Sequence, residues 1–171
     1  MTKIIGALII IMATTLAGFI LARRYSDRPK QLRQLRNALQ SLEAEIMYGL
    51  TPVKEASVHL SEQLPEPLAS FFSQLVVKLN DGAESLQTAW DETIEVFWHQ
   101  TALKSSEKEI LHQFGATLGK HDSENQKKQI QMALSHLERE ESDARDMQAK
   151  YEKMTKSLGF LTGLLVVLLL F

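Results

Sequence analysis

The stretch Glu45–Ala56, EIMYGLTPVKEA, places a helix end and a helix start side by side. Gly49 has no Cβ to oppose a left-handed backbone, so the helix that enters from the N-terminal side is predicted to end there. Pro52 suits the first turn of a new helix, and the Thr51 hydroxyl can cap that helix. The pattern predicts a helical hairpin in which Gly49 is left-handed and Thr51 caps a helix beginning at Pro52.

A second stretch, GAESLQTA from Gly82, resembles GLTPVKEA from Gly49. Each has a glycine, then a Ser or Thr that can cap, and then an alanine at the same offset, which allows close helix packing. Two hairpins built on one kind of turn would explain the match, as would chance similarity between two ordinary turns.

The rest of the interior is also helical in pattern, because apolar residues recur every three or four positions. Helix ends are predicted at Pro65–Pro67, at Asn80–Gly82 with Ser85 as the next cap, and at Gly119, with a capping box at Ser106–Glu109. From Asp122 no glycine or proline follows until Gly159, which predicts one long last helix. The expected fold is all-α, a six-helix bundle. The first stripe comprises Leu32, Leu35, Leu39, Leu42 and Ile46.

The N-terminal segment Ile4–Ala22 has nineteen residues without a charge, close to the ~20 that cross a bilayer as a helix. A transmembrane helix is the favoured interpretation, and a cleaved signal peptide is the alternative. Basic residues follow this segment, whereas Lys3 stands nearly alone before it, so the positive-inside rule predicts that the interior is cytoplasmic.

The C-terminal segment Leu158–Phe171 is a second apolar run and is also preceded by lysines. Its fourteen residues reach only about 21 Å as a helix, short of the ~30 Å hydrocarbon core, which leaves open whether it crosses the bilayer or stops within it. The predicted organisation is a transmembrane helix at 4–22, a cytoplasmic bundle at 25–157 and a membrane segment at 158–171. The membrane-flanking basic residues are Arg23, Arg24, Arg28, Lys153 and Lys156.

Enzyme chemistry has little support in the sequence. Cysteine is absent, and so are the P-loop, nucleophile-elbow and zinc-protease motifs. Glu109 and His112 have the spacing of a di-iron ligand pair, but such a site needs that pair twice. Pairs at i,i+4, Glu55 with His59 and Glu95 with His99, contribute little on a helix surface. We expect no enzyme activity, cofactor or metal, with a helical di-metal enzyme as a minor alternative.

The charge of the chain is divided along its length. Arg23–Arg36 contains six basic residues and one acid, whereas 37–124 contains fourteen acids against five lysines. The segment Arg23–Arg36, which we call the basic root, suits anionic lipid. The acidic segment 37–124 would repel nucleic acid and suits a basic partner. Alternatively, many of these acids serve only solubility.

Three segments together resemble one protein family over the whole chain: RPKQLRQLRNALQSLEAEIMYGLTPVKEA, TALKSSEKEILHQFGATLGKHDSENQKKQI and YEKMTKSLGFLTGLLVVLLL. They are similar to the stage III sporulation protein AB family of endospore-forming bacteria. The resemblance implies a component of the mother-cell-encoded complex in the outer forespore membrane, which with its forespore partner builds a channel-like assembly needed after engulfment.

The hairpin with its glycine break also resembles the cytoplasmic domains of type II secretion and type IV pilus platform proteins. Those platforms meet a secretion ATPase, although they usually carry two such domains and more membrane helices. By this resemblance the expected partners are a cytoplasmic secretion-type ATPase, stage III sporulation protein AA, and other membrane components of the complex. The expected role is that of a membrane-anchored platform, and the alternative is a stand-alone protein that binds a lipid surface.

An ATPase with basic residues would meet acids that the fold does not require. Glu43 and Glu45 lie off the core stripe of their helix and are candidates for this contact. Asp122 is better explained as a helix cap after Gly119, because the macrodipole favours an acid there. The candidate partner-binding acids are Glu43, Glu45, Glu55 and Glu124, and the candidate turn residues are Gly49, Thr51, Pro52, Gly119 and Asp122.

The predicted topology can be tested with a single thiol. Because the chain has no cysteine, Ser61→Cys provides one unique labelling site in the interior. We expect a membrane-impermeant maleimide to leave it unlabelled in intact cells and to label it after permeabilisation, since the interior is predicted to be cytoplasmic. Labelling from outside intact cells would contradict this topology and favour the cleaved signal peptide.

Overall fold

The computed structural model describes residues 2–119 and 123–170, and this part of the chain contains six helices and no strand. The predicted all-α class is confirmed. The helices are α1 (Thr2–Met47), α2 (Val53–Gln63), α3 (Leu68–Asn80), α4 (Leu86–Trp98), α5 (Ser105–Gly115) and α6 (Ser123–Leu170).

The first and last helices are far longer than the others. α1 has 46 residues and joins the predicted transmembrane helix to the first helix of the predicted bundle, with Pro29 in its interior. α6 has 48 residues, which confirms the prediction of one unbroken last helix. Asp122, the predicted cap, lies outside the described residues.

Packing divides the chain into two compact units. One is Lys30–Glu141, and the other combines Met1–Pro29 with Ser142–Phe171. Residues 25–29 and 142–157, which the sequence assigns to the cytoplasmic part, therefore group with the apolar ends. Because this grouping follows packing rather than contact with lipid, the membrane boundaries at 22 and 158 stay a prediction.

The core of the unit Lys30–Glu141 is apolar and rich in aromatic rings. The Phe71 ring makes edge contacts with Phe72, Trp90 and Phe97 at centroid distances of 5.2, 5.0 and 5.1 Å, a favourable arrangement for aromatic pairs. The one polar atom of the Trp90 ring is satisfied, because Nε1 donates to the Leu111 carbonyl at 2.8 Å. The predicted stripe on α1 is buried at Leu32, Leu35, Leu39 and Leu42 and half-buried at Ile46.

The turn between α1 and α2 differs from the prediction in two ways. The residue with a left-handed backbone is Leu50, with φ of 52°, and not Gly49. Thr51 does not cap α2 either: its N–H donates to the Glu45 carbonyl at 3.0 Å, and Pro52 is an N-cap without a side-chain hydrogen bond. A left-handed Leu is unfavourable by roughly 1–2 kcal/mol, so this turn is strained.

Gly49 is nevertheless needed in this turn, for a steric reason. A Cβ there would lie 2.7 Å from the Glu45 carbonyl oxygen and 3.0 Å from the Thr51 hydroxyl oxygen. The glycine therefore lets the backbone close tightly after α1, and Leu50 takes the left-handed conformation.

The second turn, between α3 and α4, does follow the predicted pattern. Gly82 has φ of 84°, and the Ser85 hydroxyl accepts a hydrogen bond from the Thr88 N–H at 3.1 Å, which confirms Ser85 as the cap. The idea that both hairpins use one turn is wrong, because the first turn has neither a left-handed glycine nor a side-chain cap.

The start of α5 also differs from the prediction. The carboxylate that caps it belongs to Glu107, which accepts a hydrogen bond from the Lys104 N–H. The predicted capping box at Ser106–Glu109 is therefore wrong. After α5 the chain turns at Gly119, which has φ of 75°, in agreement with the predicted break there.

The other unit pairs the N-terminal part of α1 with the C-terminal part of α6. The rings of Tyr25 and Tyr151 stack at a centroid distance of 5.9 Å, and Gln148 Nε2 donates to Ser26 Oγ at 3.1 Å. Ala22 is fully buried. Outward-facing side chains on both helices are large and apolar: Ile9, Met12, Leu16, Phe19 and Ile20 on α1, and Leu158, Leu161, Leu164, Leu165, Leu168 and Leu169 on α6.

Among the described residues, α1 is the one helix that is long and apolar enough to cross a membrane. This agrees with the predicted N-terminal anchor by length and composition.

A close approach in the core generates a stability prediction. A Cβ at Gly115 would lie 2.1 Å from Cδ1 of Trp90, a ring that is fully buried and hydrogen-bonded. We expect Gly115→Ala to lower the free energy of unfolding by about 1–3 kcal/mol, the usual cost of overpacking a core. Thermal or urea unfolding of the detergent-solubilised protein measures this.

The matched control for that variant is Gly82→Asn. A Cβ at Gly82 would meet no atom within 4 Å, and Asn tolerates a left-handed backbone. Equal melting temperatures for the two variants would contradict a specific role of the Gly115–Trp90 contact.

Candidate partner-binding surface

Glu43 lies on α1 and faces α6 across a polar cleft. The cleft has a volume of about 520 Å³, and among its lining side chains one is apolar, Leu134. Burial raises the pKa of the Glu43 carboxyl above its usual range, and the positive charge of Lys127 lowers it in part. The cleft is lined by Arg36, Gln40, Glu43, Gln131, Leu134, Ser135 and Glu138.

A charged cluster, part of which lines this cleft, links α1 to α6. Arg36 Nη1 lies 3.4 Å from Glu138 Oε1 and 3.4 Å from Glu141 Oε2. The Glu141 side chain is only 2% exposed, and a buried carboxylate is costly without a cation close by. Arg36 is therefore required by the fold and is not free to bind a ligand.

Glu45 is not a free acid. Its Oε2 lies 2.9 Å from Nδ1 of His59 on α2, and its side chain is 25% exposed. The sequence pairs His59 with Glu55, which is the wrong partner. This contact joins the two helices of the first hairpin, so Glu45 has a structural partner, and whether the fold needs it stays a prediction.

Glu55 and Glu124 both lie in the first turn of a helix, where the macrodipole favours an acid. Glu55 is exposed on α2, and the described part of the chain offers it no ionic partner. Glu124 belongs to α6, but its side chain lies outside the described residues. The structure thus brings Glu43, Glu45 and Glu55 to one end of the first hairpin.

The acids of α4 have side-chain partners on neighbouring helices. Lys78 Nζ lies 2.6 Å from Glu92 Oε2, and Lys108 Nζ lies 2.7 Å from Glu95 Oε2. The hydrogen bond from Lys108 lowers the pKa of the Glu95 carboxyl. His112 Nδ1 lies 2.6 Å from Asp91 Oδ1. Two acids of this face are paired with lysines, so it offers less to a basic partner than the α1–α2 end.

The possible di-iron pair is used in other ways. Glu109 Oε1 accepts a hydrogen bond from Gln113 at 3.0 Å, while His112 faces α4. Within residues 2–119 and 123–170 no group of three or more His, Asp or Glu side chains is arranged to hold a metal ion.

The membrane-flanking basic residues differ in exposure. The Arg23 side chain is 81% exposed and lies 3.5 Å from Asp27, whereas Arg28 is only 7% exposed. Arg28 is therefore part of the packing of its unit and is not available to a lipid surface. Arg24, Lys153 and Lys156 are in helices, but their side chains lie outside the described residues.

Comparison with known proteins gives a consistent result. The family model for stage III sporulation protein AB matches residues 3–171. The chain is 53% identical over 170 residues to stage III sporulation protein AB of Bacillus subtilis strain 168, covering 99% of each protein.

The chain belongs to the stage III sporulation protein AB family. A solved structure of a stage III sporulation protein AB is 49% identical to it and superposes with a TM-score of 0.69, covering 72% of this chain and 98% of that one. The resemblance inferred from the sequence is confirmed, and the chain is a sporulation protein.

Sequence reasoning missed the apolar part of this surface. Tyr48 and Leu50 are 73% and 84% exposed in the turn between α1 and α2. The run YGL beside a break was a usable signal, because two large apolar residues in a turn have no core stripe to join.

The raised pKa of Glu43 leads to a prediction about pH. A raised pKa in the folded state contributes stability that is present below the unfolded pKa and lost as the pH rises through the folded pKa. We expect Glu43→Gln to match the wild type at low pH and to be slightly more stable at pH 7, by no more than about 0.5 kcal/mol. Melting temperatures across pH 3–7 measure this.

Glu92→Gln is the control for that experiment, because Glu92 is exposed and paired with Lys78. It should not gain stability at neutral pH. A Glu43→Gln protein that is less stable than the wild type at pH 7 would show that attraction to Lys127 outweighs burial.

Proposed function

We propose that this protein is a non-enzymatic, membrane-anchored platform of the mother-cell sporulation complex that docks a secretion-type ATPase during forespore development after engulfment. The observation that carries the proposal is that the acids of α4 and those of the α1–α2 end differ in how they are paired. On α4, Glu92 and Glu95 are in direct contact with lysines. At the α1–α2 end, Glu45 contacts His59, Glu43 feels the charge of Lys127, and Glu55 has no ionic partner among the described residues. A basic surface on the ATPase complements that end.

The pairing of α1 with α6 supports anchoring at both ends of the chain. The stacked rings of Tyr25 and Tyr151 set an antiparallel register. Both helices rise by about 1.5 Å per residue, so α6 from Tyr151 to Leu170 runs beside α1 back to about Gly6. That length is about 28 Å, close to the ~30 Å hydrocarbon core.

This register matters for the short C-terminal segment, because its fourteen residues are too few to cross the hydrocarbon core by themselves. Tyrosines are enriched at the membrane interface, and we place the Tyr25–Tyr151 pair at that interface. We infer that the C-terminal segment crosses with α1. The protein is then held in the outer forespore membrane with its interior in the mother-cell cytoplasm.

Lipid binding at the basic root is part of this proposal. Arg23, in the basic root, is exposed on α1, and Lys150 is exposed on α6. Each basic residue near an anionic surface contributes around 1 kcal/mol of attraction. Acids at the α1–α2 end would be repelled by the same lipids. Charge thus assigns the basic root to lipid and the acidic end to a protein.

The docking proposal is tested by reversing charge. We expect the double variant Glu43→Lys, Glu45→Lys, in full-length protein reconstituted in nanodiscs, to bind purified stage III sporulation protein AA at least about tenfold more weakly than the wild type at low salt. Fluorescence anisotropy measures the Kd. Some loss of melting temperature is expected, because Glu45 contacts His59.

The control is a second double reversal, Glu62→Lys with Glu109→Lys, at exposed positions on α2 and α5. It changes net charge equally and should bind as the wild type does. Equal weakening by both variants would indicate a general charge effect without a docking surface. A wild-type protein that does not bind the ATPase would refute the proposed function.

A further inference from the structure

The turn between α1 and α2 carries an exposed apolar pair, Tyr48 and Leu50, which we name the turn tip. Leu50 is 84% exposed and Tyr48 is 73% exposed. Lys127 Nζ lies 6.0 Å from the centroid of the Tyr48 ring, so that ring is partly held in place. The Leu50 side chain gains almost nothing from burial in this chain.

The backbone conformation of Leu50 is also unfavourable for a leucine. Leu50 has φ of 52°, a conformation that Gly and Asn adopt far more readily than Leu. A leucine here is unfavourable to the free chain twice, through its backbone and through its exposed side chain. Such a combination is expected where a side chain gains its burial only in a complex.

The charges around the turn tip indicate which kind of partner can bind it. Glu45 at the end of α1 and Glu55 in the first turn of α2 flank it, and Glu43 lies two residues before Glu45. Lys127 lies beside the Tyr48 ring, on the α6 side of the turn. A second copy of this chain, in a two-fold contact, would bring these acids against themselves. An anionic membrane would repel them. A protein with an apolar pocket and a basic rim complements both features.

We propose that Leu50, supported by Tyr48, is the apolar anchor of the docking surface and inserts into an apolar pocket bordered by basic residues on the ATPase. This inference rests on the proposed function and deepens it. The flanking acids select and orient the partner, while Leu50 supplies the buried apolar contact that holds it.

The test compares substitutions at one position in full-length protein in nanodiscs. Leu50→Asn keeps a residue that tolerates the left-handed backbone but removes the apolar side chain. We expect it to bind stage III sporulation protein AA at least about tenfold more weakly, at both low and high salt, with a melting temperature no lower than that of the wild type. Leu50→Met keeps an apolar side chain and should retain binding.

Val77→Gln is the matched control, because Val77 is a 53% exposed apolar residue on α3 and should not affect binding. Photo-crosslinking with p-benzoylphenylalanine at position 50 gives an independent readout that needs no loss of binding. We expect a crosslink to the ATPase from position 50 and none from position 77.

Three results would overturn the inference. If the wild type binds the ATPase and Leu50→Asn binds equally well, the turn tip is not the anchor, and the proposed function stands. A crosslink from position 50 to a second copy of this chain would make the tip a self-association surface. If the wild type does not bind the ATPase, the proposed function fails, and the inference fails with it.

Discussion

The contact of Arg36 with Glu141 is the interaction on which the arrangement of the candidate surface depends. Burying a carboxylate that is only 2% exposed is costly without a cation beside it, and that cation, Arg36, projects from the other long helix. The pair therefore fixes the register of α1 against α6 in this unit. Register decides which side chains line the cleft, and so it places Glu43 opposite Gln131 and Ser135. A one-turn slip would separate Arg36 from Glu141 and change which side chains line the cleft.

Local physics explains what the sequence could and could not predict of the fold. The leucine stripe of α1, the unbroken α6 and the Ser85 cap each depend on residues within one or two turns, and all three predictions are confirmed. The errors at Gly49 and Thr51 have a different origin. There the Thr51 N–H is taken by the Glu45 carbonyl, so the backbone closes the turn and leaves the hydroxyl without a capping role. At α5 the donor to Glu107 is a backbone N–H, which any residue except proline can supply. A Ser or Thr at the cap was therefore not a reliable signal for the capping box.

The candidate surface was harder to predict, because its contacts join different helices. Neighbouring Glu and His at i,i+4 looked like pairs, yet Glu45 meets His59 and Asp91 meets His112 across 14 and 21 residues. Only packing decides such contacts. The sequence could identify an acidic interior, but it could not separate the acids of α4, which have partners on other helices, from those of the first hairpin. Leu50 carries no charge, so the pattern of acidic residues gave no indication of it.

Lys127 lies close to two parts of the candidate surface, Glu43 in the cleft and Tyr48 in the turn between α1 and α2. It lies near the Tyr48 ring and also lowers the pKa of Glu43 against the effect of burial. A lysine is a flexible point charge, so it can favour the ionised carboxylate in the cleft while its ammonium stays close to the exposed ring. Its place in α6 matters, because the same helix carries Glu141, whose pairing with Arg36 sets the register. The helix that pairs with α1 through Glu141 thus also places Lys127 close to both Glu43 and the exposed Tyr48 ring.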